Sequence, residues 1–360
     1  MPIEPRAAAP HPAEPPAPFI ALALQTACHA VNGAPDAKAA RARMAATLAR
    51  VRAQVLASKH FIGPDVKLVV LPEYFLTGFP MGETALAWAE TAALDMAGPE
   101  YAALGELAAA ADVHLAGNAY ERDPHFPGLY FQTSFLIAPS GEVVLRYRRL
   151  VSMFAPSPYD VYDRYVEAYG RDSLFPVADT ALGRIAAIAS EEILYPEIAR
   201  ALAVRGAEVF VHSSSEVGSL APTPKNIAKQ ARAIENLAYV VSANSAGIAG
   251  IAIPEASTDA GSKVVDPRGL VLAESGFGES MAAWAEIDIA ALRRLRRRPG
   301  MGNLLARQPM ALWTEAYASV DIQPRNTLLG EDGRPLAPDP AWYAARQRRV
   351  IDALAAKGVI

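Results

Sequence analysis

Three places in this 360-residue chain set polar side chains of reactive type where apolar strands end. The run Val66-Lys-Leu-Val-Val-Leu closes on Pro72-Glu73, leaving a carboxylate at the C-terminal end of a buried strand, where α/β proteins assemble their sites. Along Val143 to Arg149, strand alternation groups Val143, Leu145, Tyr147 and Arg149 on one face, so Arg149 shares an apolar face, opposite Val144, Arg146 and Arg148. The run Ile185-Ala-Ala-Ile-Ala closes on Ser190-Glu191-Glu192. A carboxylate, a guanidinium and a hydroxyl can serve as proton acceptor, charge for an oxyanion and nucleophile, the components of acyl transfer.

Each residue taken singly also has a plainer account. Glu73 reads as a solvated loop charge. Arg149 needs an anionic partner on a core face, and a structural salt bridge supplies one as well as a ligand does. Ser190 reads as the cap of a following helix whose positive end suits Glu191 and Glu192. Other chemistries find less material. Cys28, in Gln25-Thr-Ala-Cys-His, reads as a small buried or loop cysteine more readily than as a displaced nucleophile beside His29. The six histidines are scattered, so neither a metal site nor another cofactor is expected. There is no Gly-x-Ser-x-Gly elbow, phosphate loop or dinucleotide fingerprint.

A net charge of −4, from 34 basic and 38 acidic residues, gives no field that would draw nucleic acid or an anionic membrane, so a small molecule is the expected partner. The single cysteine rules out an intrachain disulfide and suits a reducing compartment. With no apolar leader and no stretch of bilayer length, a soluble, cytoplasmic protein is expected. At 52% hydrophobic and 20% charged residues, the chain has material for one large core.

The elements that must position these residues follow from the hydrophobic pattern. Met1 to Pro18 is proline-rich and is expected to form a disordered tail. Then come a strand at Phe19 to Leu24, a helix from about Ala37 capped by Asp36, with Met44, Leu48, Val51 and Val55 at helical spacing, and the strand ending at Leu71. A helix near Pro99 to Ala111 and a strand from Val113 to Tyr120 continue the alternation, and Pro139-Ser-Gly-Glu joins two antiparallel strands. A polar and aromatic loop (Ser152 to Leu174) leads to the strand Gly183 to Ala189, a helix through Glu197 to Arg205 and the strand Glu208 to Val211. A helix over Asn226 to Leu237, the strand Ala238 to Ala243 and a hairpin at Asp266-Pro-Arg-Gly complete a second series. Strands apolar on both faces predict an α/β fold of four layers, α-β-β-α, with two mixed sheets packed face to face. The run Arg293-Arg-Leu-Arg-Arg-Arg reads as the solvated end of a short helix.

The ordered blocks resemble the nitrilase, or carbon–nitrogen hydrolase, superfamily over roughly Phe19 to Leu292. Leu71-Pro72-Glu73 resembles its glutamate motif, Tyr147-Arg148-Arg149 its Tyr-Arg-Lys, and Gly183 to Ser190 with Tyr195-Pro196-Glu197 its cysteine block. Gly117-Asn-Ala-Tyr-Glu-Arg-Asp, Arg232-Ala-Ile-Glu-Asn, Asn244 and Gly261-Ser-Lys-Val-Val-Asp-Pro-Arg-Gly match further blocks in order. The resemblance implies a tail at 1–18, a hydrolase-like domain at 19–292 and a C-terminal extension at 293–360 that packs on a partner subunit of a homodimer or higher homo-oligomer; Trp342 to Ile360 either swaps between subunits or hangs free.

The departures carry as much information. In the family a glutamate is the base, a cysteine thiolate attacks an amide or nitrile carbon, and a lysine steadies the oxyanion. Here Glu73 is kept, Arg149 stands at the lysine position, Ser190 at the cysteine position, and Pro156 where many members carry a second glutamate. A serine hydroxyl needs a base at the moment of attack, and a guanidinium fork is aimed differently from an ammonium. Two functions are consistent with this. One is atypical hydrolysis or acyl transfer on a small amide, nitrile or carbamoyl compound, with Glu73, Arg149 and Ser190 catalytic and Glu191, Glu192 and Tyr195 binding substrate or supporting them. The other is a catalytically silent protein on the same fold that binds a small ligand through Arg149 or acts as a partner subunit.

Overall fold

The computed structural model describes residues 14–320 and 322–360; the tail expected at the N-terminus therefore lies outside the described residues up to position 13. The first half runs β1 (Phe19–Ala23), β2 (Cys28–His29), α1 (Ala37–Ile62), β3 (Val66–Val70), α2 (Ala85–Thr91), β4 (Leu94–Asp95), α3 (Pro99–Ala111), β5 (His114–Arg122), β6 (Tyr130–Ile137) and β7 (Val143–Arg148). The second runs α4 (Tyr162–Tyr169), β8 (Ala178–Thr180), β9 (Gly183–Ala189), α5 (Pro196–Val204), β10 (Val209–Ser213), α6 (Pro224–Asn236), β11 (Tyr239–Ala243), β12 (Ile248–Ala249), β13 (Lys263–Val265), β14 (Val271–Glu274), β15 (Trp284–Ile287) and α7 (Ile289–Arg297). Two helices follow, α8 (Met310–Ala318) and α9 (Pro340–Ala356).

Both sheets are mixed. One has the order β15-β1-β3-β5-β6-β7, parallel through β1, β3 and β5 and antiparallel elsewhere along that path. The other is β14-β13-β11-β10-β9-β8, parallel through β9, β10 and β11. Strand alternation divides the core. Ala21, Ala23, Leu68 and Val70 face the second sheet and meet β9, β10 and β11, whereas Leu22, Leu24, Val69 and Leu71 face α1 and α3. Met44, Val51 and Val55 on α1 and Leu104 and Leu107 on α3 cover one outer face, and Leu202 on α5 and Ala233 on α6 the other. The result is the four-layer α-β-β-α sandwich, in which parallel strands are buried on both sides. Asp36 caps α1 by accepting from Ala39 N at 2.7 Å. Among the described residues no helix is long and apolar enough to cross a membrane.

Two local expectations need correction. The segment from Ser152 to Leu174 is more than loop: a 3-10 turn at Pro158–Val161 opens into α4. Ser157 and Asp160 form a reciprocal cap there, and Val161 and Tyr165 pack on Phe126, Leu129 and Phe131. The arginine run is only partly solvated. Arg293 is buried and pairs with Glu208 at 2.7 Å, and Arg296 donates to the carbonyls of Ala207 at 2.6 Å and Leu237 at 2.9 Å, closing the end of α6. Within the chain, Arg346 on α9 pairs with Asp160 and donates to Ser152 O at 3.0 Å, and Tyr343 is buried.

Candidate active site

Each of the three strand-end residues is placed by backbone geometry before its side chain matters. Pro72 stops β3, and Glu73 N donates to Ser214 O at 3.3 Å across the two sheets. Arg149 follows β7 directly. Ser190 takes a φ of +49°, the left-handed region that a non-glycine residue occupies at a cost of about 1–3 kcal/mol. His212 on β10 holds it there, with Nε2 2.8 Å from Ser190 O and Nδ1 2.8 Å from Ser242 Oγ. Burial, reinforced by Lys229, pushes the His212 imidazole well below its ordinary value, so the ring is neutral. A carbonyl can only accept; Nε2 therefore donates to Ser190 O, and Nδ1 accepts from the Ser242 hydroxyl.

The three side chains meet in a cavity of about 440 Å³. Its polar wall is Glu73, Gln132, Arg149, Ser190, Glu191 and Ser215; Tyr74, Phe79, Tyr120, Phe154 and Val217 supply much of the apolar wall. Glu73 is fully buried and accepts from Gln132 Nε2 at 2.6 Å and Ser215 Oγ at 3.0 Å. Arg149 lies 3.7 Å from Glu73 Oε1, donates through Nε to Val151 O at 2.7 Å and through Nη1 to Gln132 Oε1 at 2.6 Å, and ion-pairs with Glu191 through Nη2. Burial opposes its charge, but Tyr74, Glu73, Glu191 and Glu192 outweigh burial and raise the guanidinium above its ordinary value.

Glu192 stands behind this wall, fully buried, accepting from the Tyr147 hydroxyl at 2.7 Å and from the amides of Leu150 and Val151 at 2.8 and 3.0 Å. It thereby ties the turn that aims Arg149. Burial pushes its carboxyl up to about 7 despite Arg149 and these donors. The folded state thus binds a proton more readily than the unfolded chain between about pH 4.5 and 7, and this contribution to stability is lost as pH rises through that window. Wild type is therefore expected to gain on Glu192→Gln by up to about 1.4 kcal/mol per pH unit between pH 7 and pH 5, measured by urea unfolding at each pH. A difference that stays flat with pH would contradict this.

Of the expected site residues, Glu73, Arg149, Ser190 and Glu191 come together, Glu192 supports them, and Tyr195 does not line the cavity: it ends the 3-10 turn Ser190–Leu194 with its ring exposed. The loop at Pro156 contributes Ser152, Phe154 and Ala155 to the wall and no carboxylate. Cys28 lies outside the cavity lining, buried, with Sγ donating to Tyr74 O at 2.7 Å, and burial pushes its thiol up to about 12. Thiol reagents are accordingly expected to leave Cys28 unmodified until the protein is unfolded, and rapid stoichiometric labelling of native protein would contradict this.

Two residues were missed by sequence reasoning. Gln132 on β6 bridges Glu73 and Arg149; a lone amide in the buried run Tyr130-Phe-Gln was the available signal. Lys225, the second residue of α6, donates from Nζ to Ser190 Oγ at 3.3 Å, and no local pattern announces it. Asn244, already part of a recognised block, secures the loop carrying Ser215: it accepts from Glu216 N at 2.7 Å and donates to the carbonyls of Thr258 and Ala260 at 3.0 and 2.6 Å.

Comparison with known proteins gives a consistent picture. The carbon–nitrogen hydrolase family model matches residues 25–297. A formamidase from Helicobacter acinonychis is 30% identical over 185 residues, 51% of this chain and 52% of that protein. A formamidase from Bacillus cereus is 28% identical over 189 residues, 52% of this chain and 53% of that protein. The match thus spans about half the length of each relative. Among solved structures, a carbon–nitrogen hydrolase from Helicobacter pylori superposes with a TM-score of 0.63 at 20% identity, covering 84% of this chain and 99% of the other. An amidase from Nesterenkonia sp. gives 0.59 at 19% identity, covering 83% and 96%. At such identities these likenesses bear on the fold alone.

Proposed function

Because the chain belongs to the carbon–nitrogen hydrolase family, we propose that it hydrolyses a small amide, or a related nitrile or carbamoyl compound, at the cavity formed by Glu73, Arg149 and Ser190. The observation that carries this reading is the meeting of a buried carboxylate, a guanidinium and a serine on a strained strand end in one aromatic-walled cavity. Ser190 Oγ gives up its proton and bonds to the amide carbon, the C–N bond breaks and the amine leaves carrying that proton, giving an ester on Ser190. Glu73 then takes a proton from the water that attacks this ester, and gives it to Ser190 Oγ as the ester C–O bond breaks, restoring both groups. Arg149 holds Glu73 and Glu191 in place, and its charge lies beside the developing oxyanion. Tyr74, Phe79, Tyr120 and Phe154 favour a substrate with an apolar acyl part. That some relatives are named formamidases supports the amide class.

The test is ammonia release from a panel of aliphatic and aromatic amides, nitriles and N-carbamoyl compounds, with Ser190→Ala beside wild type. Release that vanishes in the variant supports the reading; release that persists there overturns the role of Ser190.

A second reading rests on the occupancy of the Arg149 fork by Val151 O, Gln132 and Glu191, which leaves the guanidinium bound to protein groups. On this account the cavity binds a small ligand without turning it over. Ligands from the panel would then raise the melting temperature and be recovered unchanged. The proposal also includes a cytoplasmic setting, which a single buried thiol suits, and a homo-oligomer in which the extension after residue 292 meets a partner subunit. The exposed Leu312, Trp313 and Tyr317 of α8 suit such a contact.

A further inference from the structure

We infer that Lys225 is the proton carrier for Ser190, the two forming a serine–lysine pair; the inference rests on the reading that Ser190 is the acyl acceptor. Three observations support it. Lys225 Nζ lies 3.3 Å from Ser190 Oγ, whereas no hydrogen bond joins Ser190 to Glu73, whose oxygens are met by Gln132, Ser215 and Arg149. Lys225 is also firmly placed. It is the second residue of α6, whose start is fixed by Pro224 and by Thr223 accepting from Asn226 N at 3.2 Å, and α6 packs on the turn that begins at Ser190. Finally, among the described residues no carboxylate pairs with Lys225, while its neighbour Lys229 is bound to Glu216 and Asn226. An amine with one partner, half exposed so that it can exchange protons with water, differs from a structural ion pair.

The proton balance gives each base one task. As the Ser190 Oγ–C bond forms, the Ser190 proton passes to Lys225 Nζ, the step being open to the form of the side chain that has an unshared pair on nitrogen. The resulting ammonium gives that proton to the departing nitrogen as the C–N bond breaks, so the amine leaves neutral and Lys225 is restored. Glu73 remains for the attacking water. Arg149, at the position where the family resemblance places the oxyanion-steadying lysine, cannot give up its proton, and the transferable proton is handled from α6.

Fluorophosphonate labelling tests this without requiring amide turnover, because Ser190 Oγ displaces fluoride from phosphorus. The adduct is followed by intact mass on the full chain. Wild type is expected to label at one site, Ser190→Ala not at all, and Lys225→Ala about 10²-fold more slowly, with partial rescue by added methylamine. Lys225→Arg, which keeps the helix but cannot take up the serine proton, is expected to be slow as well. Labelling of Lys225→Ala or Lys225→Arg at the wild-type rate would overturn the inference, as would failure of wild type to label. Labelling that follows the expected order while no amide releases ammonia would leave the pair standing and overturn the proposed function. Equal urea midpoints for wild type and Lys225→Arg separate a chemical effect from a folding defect.

Discussion

Glu73→Gln is expected to lower kcat on the best amide of the panel by about 10²–10⁴-fold, with a smaller change in KM. The substitution preserves shape. The glutamine oxygen still accepts from Gln132 Nε2, and the Ser215 hydroxyl can turn to accept from the new amide instead of donating. The variant cannot take a proton from the water that resolves the acyl-serine. If acylation remains intact, a rapid burst of amine release equal to the enzyme concentration should precede the slow steady state. Turnover within a few-fold of wild type would remove Glu73 from the chemistry.

The largest effect on stability is expected from Arg149→Met, at about 3–5 kcal/mol. The guanidinium is the buried counter-charge of Glu73 and Glu191, and its loss leaves a fully buried carboxylate at Glu73 with Gln132 Oε1 and Val151 O deprived of donors. Breaking a buried pair from one side is costlier than removing both charges. Arg149→Met combined with Glu73→Gln is therefore expected to cost less than the sum of the single changes, with a coupling of about 0.5–3 kcal/mol. Urea midpoints of the four proteins measure this cycle. A cost for Arg149→Met under about 1 kcal/mol would put the contact on a par with exposed surface pairs.

The elements and the strand ends were legible because they depend on local pattern. Short continuous apolar runs such as Ile185 to Ala189, the cap at Asp36 and the proline at 72 each declare themselves within a few residues. The four layers followed from strands apolar on both faces. Contacts set by tertiary packing were not legible in this way. Lys225 reaches Ser190 only because α6 lies on the turn after β9, and Arg293 and Arg296 lose their solvent only because α7 packs beside Glu208 and the end of α6. Within a run of six residues these arginines differ in fate, and charge type alone cannot separate them. The helix α4 was missed for a related reason: its aromatic face became interpretable only with Phe126 and Phe131 as its counterpart. At the site, alternation put Arg149 on an inward face but did not show that Val151, Gln132 and Glu191 would occupy its fork.

The left-handed backbone at Ser190 is secured through its carbonyl by His212, and the Ser190 hydroxyl takes no part in that bond. The mould is thus independent of what it casts. A lineage can exchange thiol for hydroxyl at this spot, or abandon reactivity altogether, while the sheets and their junction remain unaltered. The chemistry of such a scaffold can drift much faster than its shape, and fold similarity is a poor clock for when an activity was gained or lost.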